Sequence, residues 1–283
     1  MSSLAFSDNT IETSSGIVDG YKKARVLYWD DIPFAKPPIG ELRWKAPRKI
    51  TNSKKTILPL ENNYCVQRPS SLGGPGGEGP FVGTEDCLYL DISAPAKKKF
   101  NLLPVMFWIH GGGNTSGLKD LYDFKKMVRK HDVIVVRANY RLGPFGWFYH
   151  PSIQEYQTGL DKTSNFGTLD IIAALEWVKN NISLFGGDPN NVTIFGESAG
   201  GHNVLSMLVT NQSKGLFHKA ISMSGYTTSI DQKDAYVQEK KSSTSTYTSS
   251  QIVKKIIENS DNPPTQLSNE EIRNLLLNLS TEE

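Results

Sequence analysis

Ser198 lies in the pentapeptide GESAG, with Gly196 and Gly200 two residues to either side. A serine so placed is the residue type of a covalent nucleophile, whose hydroxyl attacks a carbonyl carbon once a neighbouring base takes its proton. The glycines have a steric reason. Where a buried strand turns sharply into a helix, the apex residue is forced into strained backbone angles, and its neighbours must be small for strand and helix to approach. GxSxG alone is a common pattern, and its surroundings give it weight here. Residues 192–195 (VTIF) read as a buried strand, and Val204, Leu205 and Leu208 supply the apolar stripe of a following helix. Gly196, Glu197 and Gly200 then support the elbow, and the helix amino terminus adds a positive dipole near the serine.

A second constellation, His110 followed by Gly111, Gly112 and Gly113, closes the apolar run 104–110. Glycines there let backbone N–H groups turn toward a developing oxyanion. With the N–H of Ala199, just beyond the serine, they make a three-donor hole, in which one donor is worth on the order of 3 kcal/mol in the transition state. The competing reading is a glycine-rich turn that binds nothing.

The elements that must hold these residues follow from hydrophobic period. The first hundred residues read as short strands and turns, among them GIVDG and CLYLDIS. Residues 104–110 (PVMFWIH) and 133–138 (VIVVRA) have the length and β-branched content of buried parallel strands, and LKDLYDFKKMVRK between them has helical spacing. From Thr168 the residues Ile171, Leu175, Val178 and Ile182 mark an amphipathic helix; strand 192–195, helix 199–212 and strand 220–224 follow. Such alternation predicts a parallel sheet with helices on both faces. Residues 227–250 turn polar and read as an exposed insert. Beyond them lie two short helices, the second with Ser268 as N-cap, Glu271 as its capping-box partner, and Leu267 and Ile272 as a staple. No internal repeat is evident.

Composition sets the outer limits. The 283 residues, 38% hydrophobic and 10% aromatic, suffice for one large α/β domain or two small ones. A net charge of +2, with no basic run interleaved with aromatics, argues against a nucleic-acid partner. No stretch has the length of a membrane span, and the opening MSSLAFSDNT lacks the basic start and apolar core of a signal peptide. Nothing indicates a metal or organic cofactor. The two cysteines, Cys65 and Cys87, bracket a glycine-rich segment. Spacing leaves two readings open: a pair of buried thiols, or one disulfide worth roughly 3 kcal/mol.

The segments FGGDPNNVTIFGESAG, EDCLYLDISAP, WIHGGG, ANYRLGPFGW, ALEWVKNNI and LFHKAISMSG together resemble the type-B carboxylesterase family, over almost the whole chain from Gly16. Ser93 departs from the second of these signatures, where a larger apolar residue is usual. The resemblance implies a single α/β-hydrolase domain over residues 1–283, with a mostly parallel central sheet that is incomplete on its C-terminal side. It implies Ser198 as nucleophile, Gly112, Gly113 and Ala199 as oxyanion donors, and a Cys65 to Cys87 disulfide. The substrate class it implies is a small carboxylic ester, and the family and disulfide suggest the secretory pathway. Gly77 stands where cholinesterases hold a quaternary ammonium with a tryptophan, which disfavours a choline ester. Asn114 and Ile171 replace an aromatic and a glutamine frequent in the family. Asn181, Asn191, Asn211 and Asn278 fit the glycosylation pattern.

In α/β hydrolases the base and its acid follow the nucleophile in sequence. Only His202 and His218 follow Ser198. His202, one helical turn on, points along its helix, and His218 precedes the next strand where the family has a structural residue. The resemblance places acid and histidine beyond Glu283. The expectation is an elbow and a hole without a base: an ester hydrolase by family, inactive as this chain alone, with strand 220–224 as an open edge available for association. The alternatives are a non-catalytic cholinesterase-like binding protein or an eroded gene product.

Overall fold

The computed structural model describes residues 9–51, 53–70, 73–97, 100–236, 247–260 and 266–282. In chain order the strands are β1 (Thr10–Thr13), β2 (Gly16–Asp19), β3 (Tyr21–Lys23), β4 (Val26–Pro33), β5 (Thr56–Ile57), β6 (Tyr89–Pro95), β7 (Leu103–Ile109), β8 (Ile134–Ala138), β9 (Gly187–Glu197) and β10 (Lys219–Met223). The helices are α1 (Lys125–His131), α2 (Gly143–Gly146), α3 (Pro151–Gln154), α4 (Phe166–Asn181), α5 (Ala199–Val209), α6 (Gln232–Tyr236), α7 (Ser249–Glu258) and α8 (Asn269–Asn278).

The larger sheet has the order β10-β9-β7-β8-β6-β4-β3. Its β10, β9, β7 and β8 run parallel, and β6, β4 and β3 continue it antiparallel. The reason lies in side-chain content. All five residues of β8 (IVVRA) are buried, as a strand covered on both faces demands, and each branched aliphatic contributes about 1.5–3 kcal/mol on leaving water. Ile171, Leu175, Val178 and Ile182 belong to the main core together with Val105, Phe107, Val136 and Ile194 from the sheet. A buried ion pair fixes the register of α4: Asp170 accepts from Arg141 Nη2 at 2.7 Å and Nε at 2.8 Å.

The expected helix over residues 118–130 is shorter. Lys119–Leu121 form a single tight turn, and α1 begins only at Lys125. Lys119 does not lie on a solvated helix face; it is buried, with Nζ 2.9 Å from carboxylate oxygens of both Asp31 and Asp91. Burial opposes its charge, but Asp91, Asp120 and Asp31 more than offset that and raise its pKa. Arg137 joins Asp91 at 3.1 Å, so one ionic cluster ties β4, β6 and β8 to the chain just after the glycine triplet.

Within the polar stretch 227–250, residues 237–246 lie outside the described residues. Residues 232–236 form α6, and Thr248 and Ser249 are buried at the start of α7, where Thr248 and Gln251 make a capping box. The expected box at Ser268 and Glu271 opens α8. Arg43 anchors that helix by donating to the carbonyls of Leu276 and Leu279 at 2.8 and 3.0 Å while paired with Glu85. At the other side of the sheet β10 is the terminal strand, and all five of its residues are exposed.

Candidate active site

β7, β9 and β10 end level with one another. Ile109 pairs with Gly196, while Ser222 and Met223 pair with Gly196 and Glu197. Residues 110–113 leave the sheet after β7, and Ser198 leaves it after β9. Both constellations therefore meet at the carboxyl edge of the parallel strands, where open α/β sheets bind ligands.

Ser198 has φ 56° and ψ −121°, a conformation that costs a non-glycine residue of order 1–3 kcal/mol. Surrounding backbone holds it there. Its N–H donates to Met223 O at 2.9 Å, and its carbonyl accepts from His202 N at 2.9 Å. A Cβ on Gly196 would fall 2.5 Å from the carbonyl of Gly200, and one on Gly200 would fall 2.1 Å from Ile109 O. Backbone atoms cannot yield as a flexible side chain would, so both positions need glycine. Ala199 is the first residue of α5 and is fully buried.

The glycine loop passes over this elbow. A Cβ on Gly111 would lie 3.3 Å from Ser198 Cβ and from the Oε2 of Glu197, and 2.7 Å from Glu197 O. The Gly112 carbonyl accepts from Thr115 N at 3.1 Å and Ser116 N at 2.9 Å. Among the described residues no acceptor takes the N–H of Gly112, Gly113 or Ala199. Ala199 is buried, Gly112 is partly exposed and Gly113 is exposed, and all three N–H groups are thus donors without a protein acceptor.

His110 is a structural support for the loop. Its ring stacks on Tyr140 with centroids 4.3 Å apart, and the Tyr140 hydroxyl donates to its carbonyl at 2.6 Å. Its Nδ1 lies 2.9 Å from Gly111 O, which fixes the Nδ1–H tautomer because a carbonyl can only accept. Burial pulls its pKa down to about 4, so the ring is neutral at physiological pH.

Both downstream histidines have partners of their own. His202 stacks on Tyr226 at 4.3 Å with its Nδ1 2.6 Å from Tyr226 O. His218 is exposed at the foot of β10, where its Nδ1 accepts from Val192 N at 3.2 Å. Asn114 turns its side chain to Asn203, which donates to it at 2.9 Å. Cys65 and Cys87 form a disulfide. Asn181 is buried and its amide donates to Ser14 Oγ and Trp177 O, which removes it from the set of exposed glycosylation positions.

Residues 7–274 match the Carboxylesterase family. The chain belongs to that family. It is 41% identical over 227 residues to a para-nitrobenzyl esterase of Bacillus subtilis (strain 168), covering 80% of this chain and 45% of that protein. Against liver carboxylesterase 1F of Rattus norvegicus it is 43% identical over 203 residues, 69% of this chain and 35% of the rat protein. A solved structure of a thermophilic PNB esterase superposes with a TM-score of 0.78 at 34% identity, covering 98% of this chain and 52% of that one. The fold is that of the α/β hydrolases, and the chain spans about half or less of the length of the relatives it matches.

Sequence reasoning named the serine and the glycines but not Tyr140, Asn203 or Gln67, whose side-chain amide bonds both the N–H and the carbonyl of Gly117 at the far end of the loop. Among the described residues no cluster of His, Cys, Asp or Glu has the makings of a metal site, and no helix is long and apolar enough to cross a membrane.

Proposed function

We propose that this chain carries the nucleophile and oxyanion hole of a carboxylic ester hydrolase. Ser198 Oγ attacks the ester carbonyl, and a tetrahedral oxyanion forms that accepts from the N–H groups of Gly112, Gly113 and Ala199. Collapse expels the alcohol and leaves an acyl-serine, which water then hydrolyses to the acid and free Ser198. Gly196, Glu197 and Gly200 keep the elbow tight. The observation that carries this reading is the strained Ser198 conformation directly beneath the glycine loop. A binding protein gains nothing from that strain.

The proton of Ser198 needs an acceptor, and His202 and His218 are engaged elsewhere. The polypeptide of residues 1–283 by itself therefore turns over negligibly, keeping at most the roughly 10³- to 10⁴-fold over water that a hole and binding supply. The test is hydrolysis of 4-nitrophenyl acetate. In the protein as expressed by its source, Ser198→Ala abolishes hydrolysis; activity that survives the substitution overturns the nucleophile assignment. Purified residues 1–283 show no difference between wild type and Ser198→Ala; a Ser198-dependent turnover overturns the second claim.

A further inference from the structure

The edge of the sheet opposite Ser198 carries a concavity of about 510 Å³. Five cationic side chains line it, from Arg25, Lys97, Lys126, Arg129 and Lys130, against the one carboxylate of Asp132. They come from three separate pieces of chain. Arg25 sits at the turn before β4, Lys97 follows β6, and the other three lie on α1. None of the five forms an ion pair among the described residues, whereas the neighbouring Lys125 is paired with Asp123. Convergence of unpaired like charges raises the local positive potential, which an anionic partner relieves.

The same connection supplies a second feature. Phe100, three residues beyond Lys97 and so within about 11 Å of it along the chain, is fully exposed at 110%, and Leu102 is 49% exposed. An exposed aromatic within that reach of basic side chains is the combination that partitions into a charged lipid interface, with the ring among the headgroups and the cations facing lipid anions. A nucleic-acid groove would instead need a row of stacking aromatics.

We propose that this face docks onto an anionic lipid bilayer. Phe100 enters the headgroup layer, and the five cations face the lipid anions. Strand polarity gives the geometry its sense. Val105 pairs with Ile134 at the amino edge of the parallel strands, beside Asp132, while Ile109 and Gly196 mark the carboxyl edge beside Ser198. The seven residues of β7 put roughly 23 Å between the two edges, so docking leaves the serine facing water.

The test is co-sedimentation of the 283-residue protein with vesicles of pure phosphatidylcholine and of phosphatidylcholine with 30% phosphatidylserine, in 0.1 M NaCl. Binding is expected to the anionic vesicles only, with release at 0.5 M NaCl. Each cation near the surface is worth roughly fivefold in partitioning, so Lys126→Gln, Arg129→Gln and Lys130→Gln together reduce it about 100-fold. Phe100→Ser reduces it about tenfold. Every replaced side chain is exposed, and circular dichroism checks the fold; the salt and Phe100 arms stand without the triple variant. Equal binding to both vesicles, as adsorption through the exposed β10 would give, overturns the proposal. So does binding that survives the triple substitution, or capture by heparin or duplex DNA with none by anionic vesicles.

Discussion

Gln67 grips Gly117 by both sides of its backbone: the side-chain Oε1 accepts from Gly117 N at 2.7 Å, and Nε2 donates to Gly117 O at 2.9 Å. The same Nε2 donates to Cys65 O at 2.9 Å. One buried amide thus joins the disulfide-closed loop to the far end of the glycine loop that covers Ser198. Gln67→Ala leaves three backbone groups unsatisfied in a buried place, each of which costs about 1–3 kcal/mol before water or relaxation recovers part of it. We expect a loss of about 3 kcal/mol in urea unfolding and faster amide exchange at Gly117. A change under about 0.5 kcal/mol, the size of an ordinary surface substitution, would show that the grip contributes nothing.

The Cys65–Cys87 bridge spans a sequence separation of 22 residues. By the loop-entropy relation, opening a loop of that size costs about 3 kcal/mol, chiefly by freeing the unfolded chain. The double substitution Cys65→Ser, Cys87→Ser is expected to lose that amount in urea unfolding under non-reducing conditions. Because Gln67 lies inside the bridged segment, the same variant also raises amide exchange at Gly117. Unchanged exchange there would mean that loop and bridge are independent.

His110 predicts an acid sensitivity. Its folded pKa is about 4, against about 6.5 in an unfolded chain. Between those values the unfolded state binds a proton that the folded state refuses, so stability falls as pH drops below about 6.5 and levels off near 4. From pH 7.5 to 4.5 the His110 contribution is about 2.5 kcal/mol of lost stability. His110→Asn keeps an N–H near the Nδ1 position and cannot titrate, so its stability curve should be flatter by that amount. Parallel curves for the two proteins would refute the assignment.

What the sequence made legible was local. Gly196 and Gly200 lie within two residues of Ser198, and the steric demand of a strand-to-helix apex acts over that distance. The parallel half of the sheet was legible for the same reason, because a strand buried on both faces, such as IVVRA, is apolar except where a charge such as Arg137 finds a buried partner. The contacts that hold the site are not local. Gln67 and Gly117 are 50 residues apart, and Tyr140 and His110 are 30 apart; no period or motif announces such pairs. The segment 118–130 misled in the opposite direction. It has helical spacing, but the helix begins only at Lys125, because Asp31 and Asp91 from other strands bury Lys119 ahead of it. Thr248 with Gln251 carries the same capping signature as Ser268 with Glu271, but the polar composition of residues 227–250 concealed it. Asn181 shows the converse, a short motif satisfied in sequence by a side chain already committed to Ser14 and Trp177.

The sharpest test of the elbow compares two glycines. A methyl on Gly200 would fall 2.1 Å from Ile109 O and 2.8 Å from His110 O, both backbone atoms at the carboxyl end of β7. Relief requires α5 to move off the sheet, which opens the interface that buries Ala199 and Val204. Gly200→Ala is therefore expected to cost at least the 1–3 kcal/mol typical of overpacking, and more if the sheet edge cannot shift. Gly76 is the control, since a Cβ there meets nothing within 4 Å. Its replacement by alanine should be neutral or stabilise by about 0.4–1 kcal/mol through the unfolded chain. Thermal unfolding of the two variants beside wild type measures both effects. If Gly200→Ala matches Gly76→Ala, strand and helix do not approach as closely as the geometry requires, and the strain at Ser198 loses its cause.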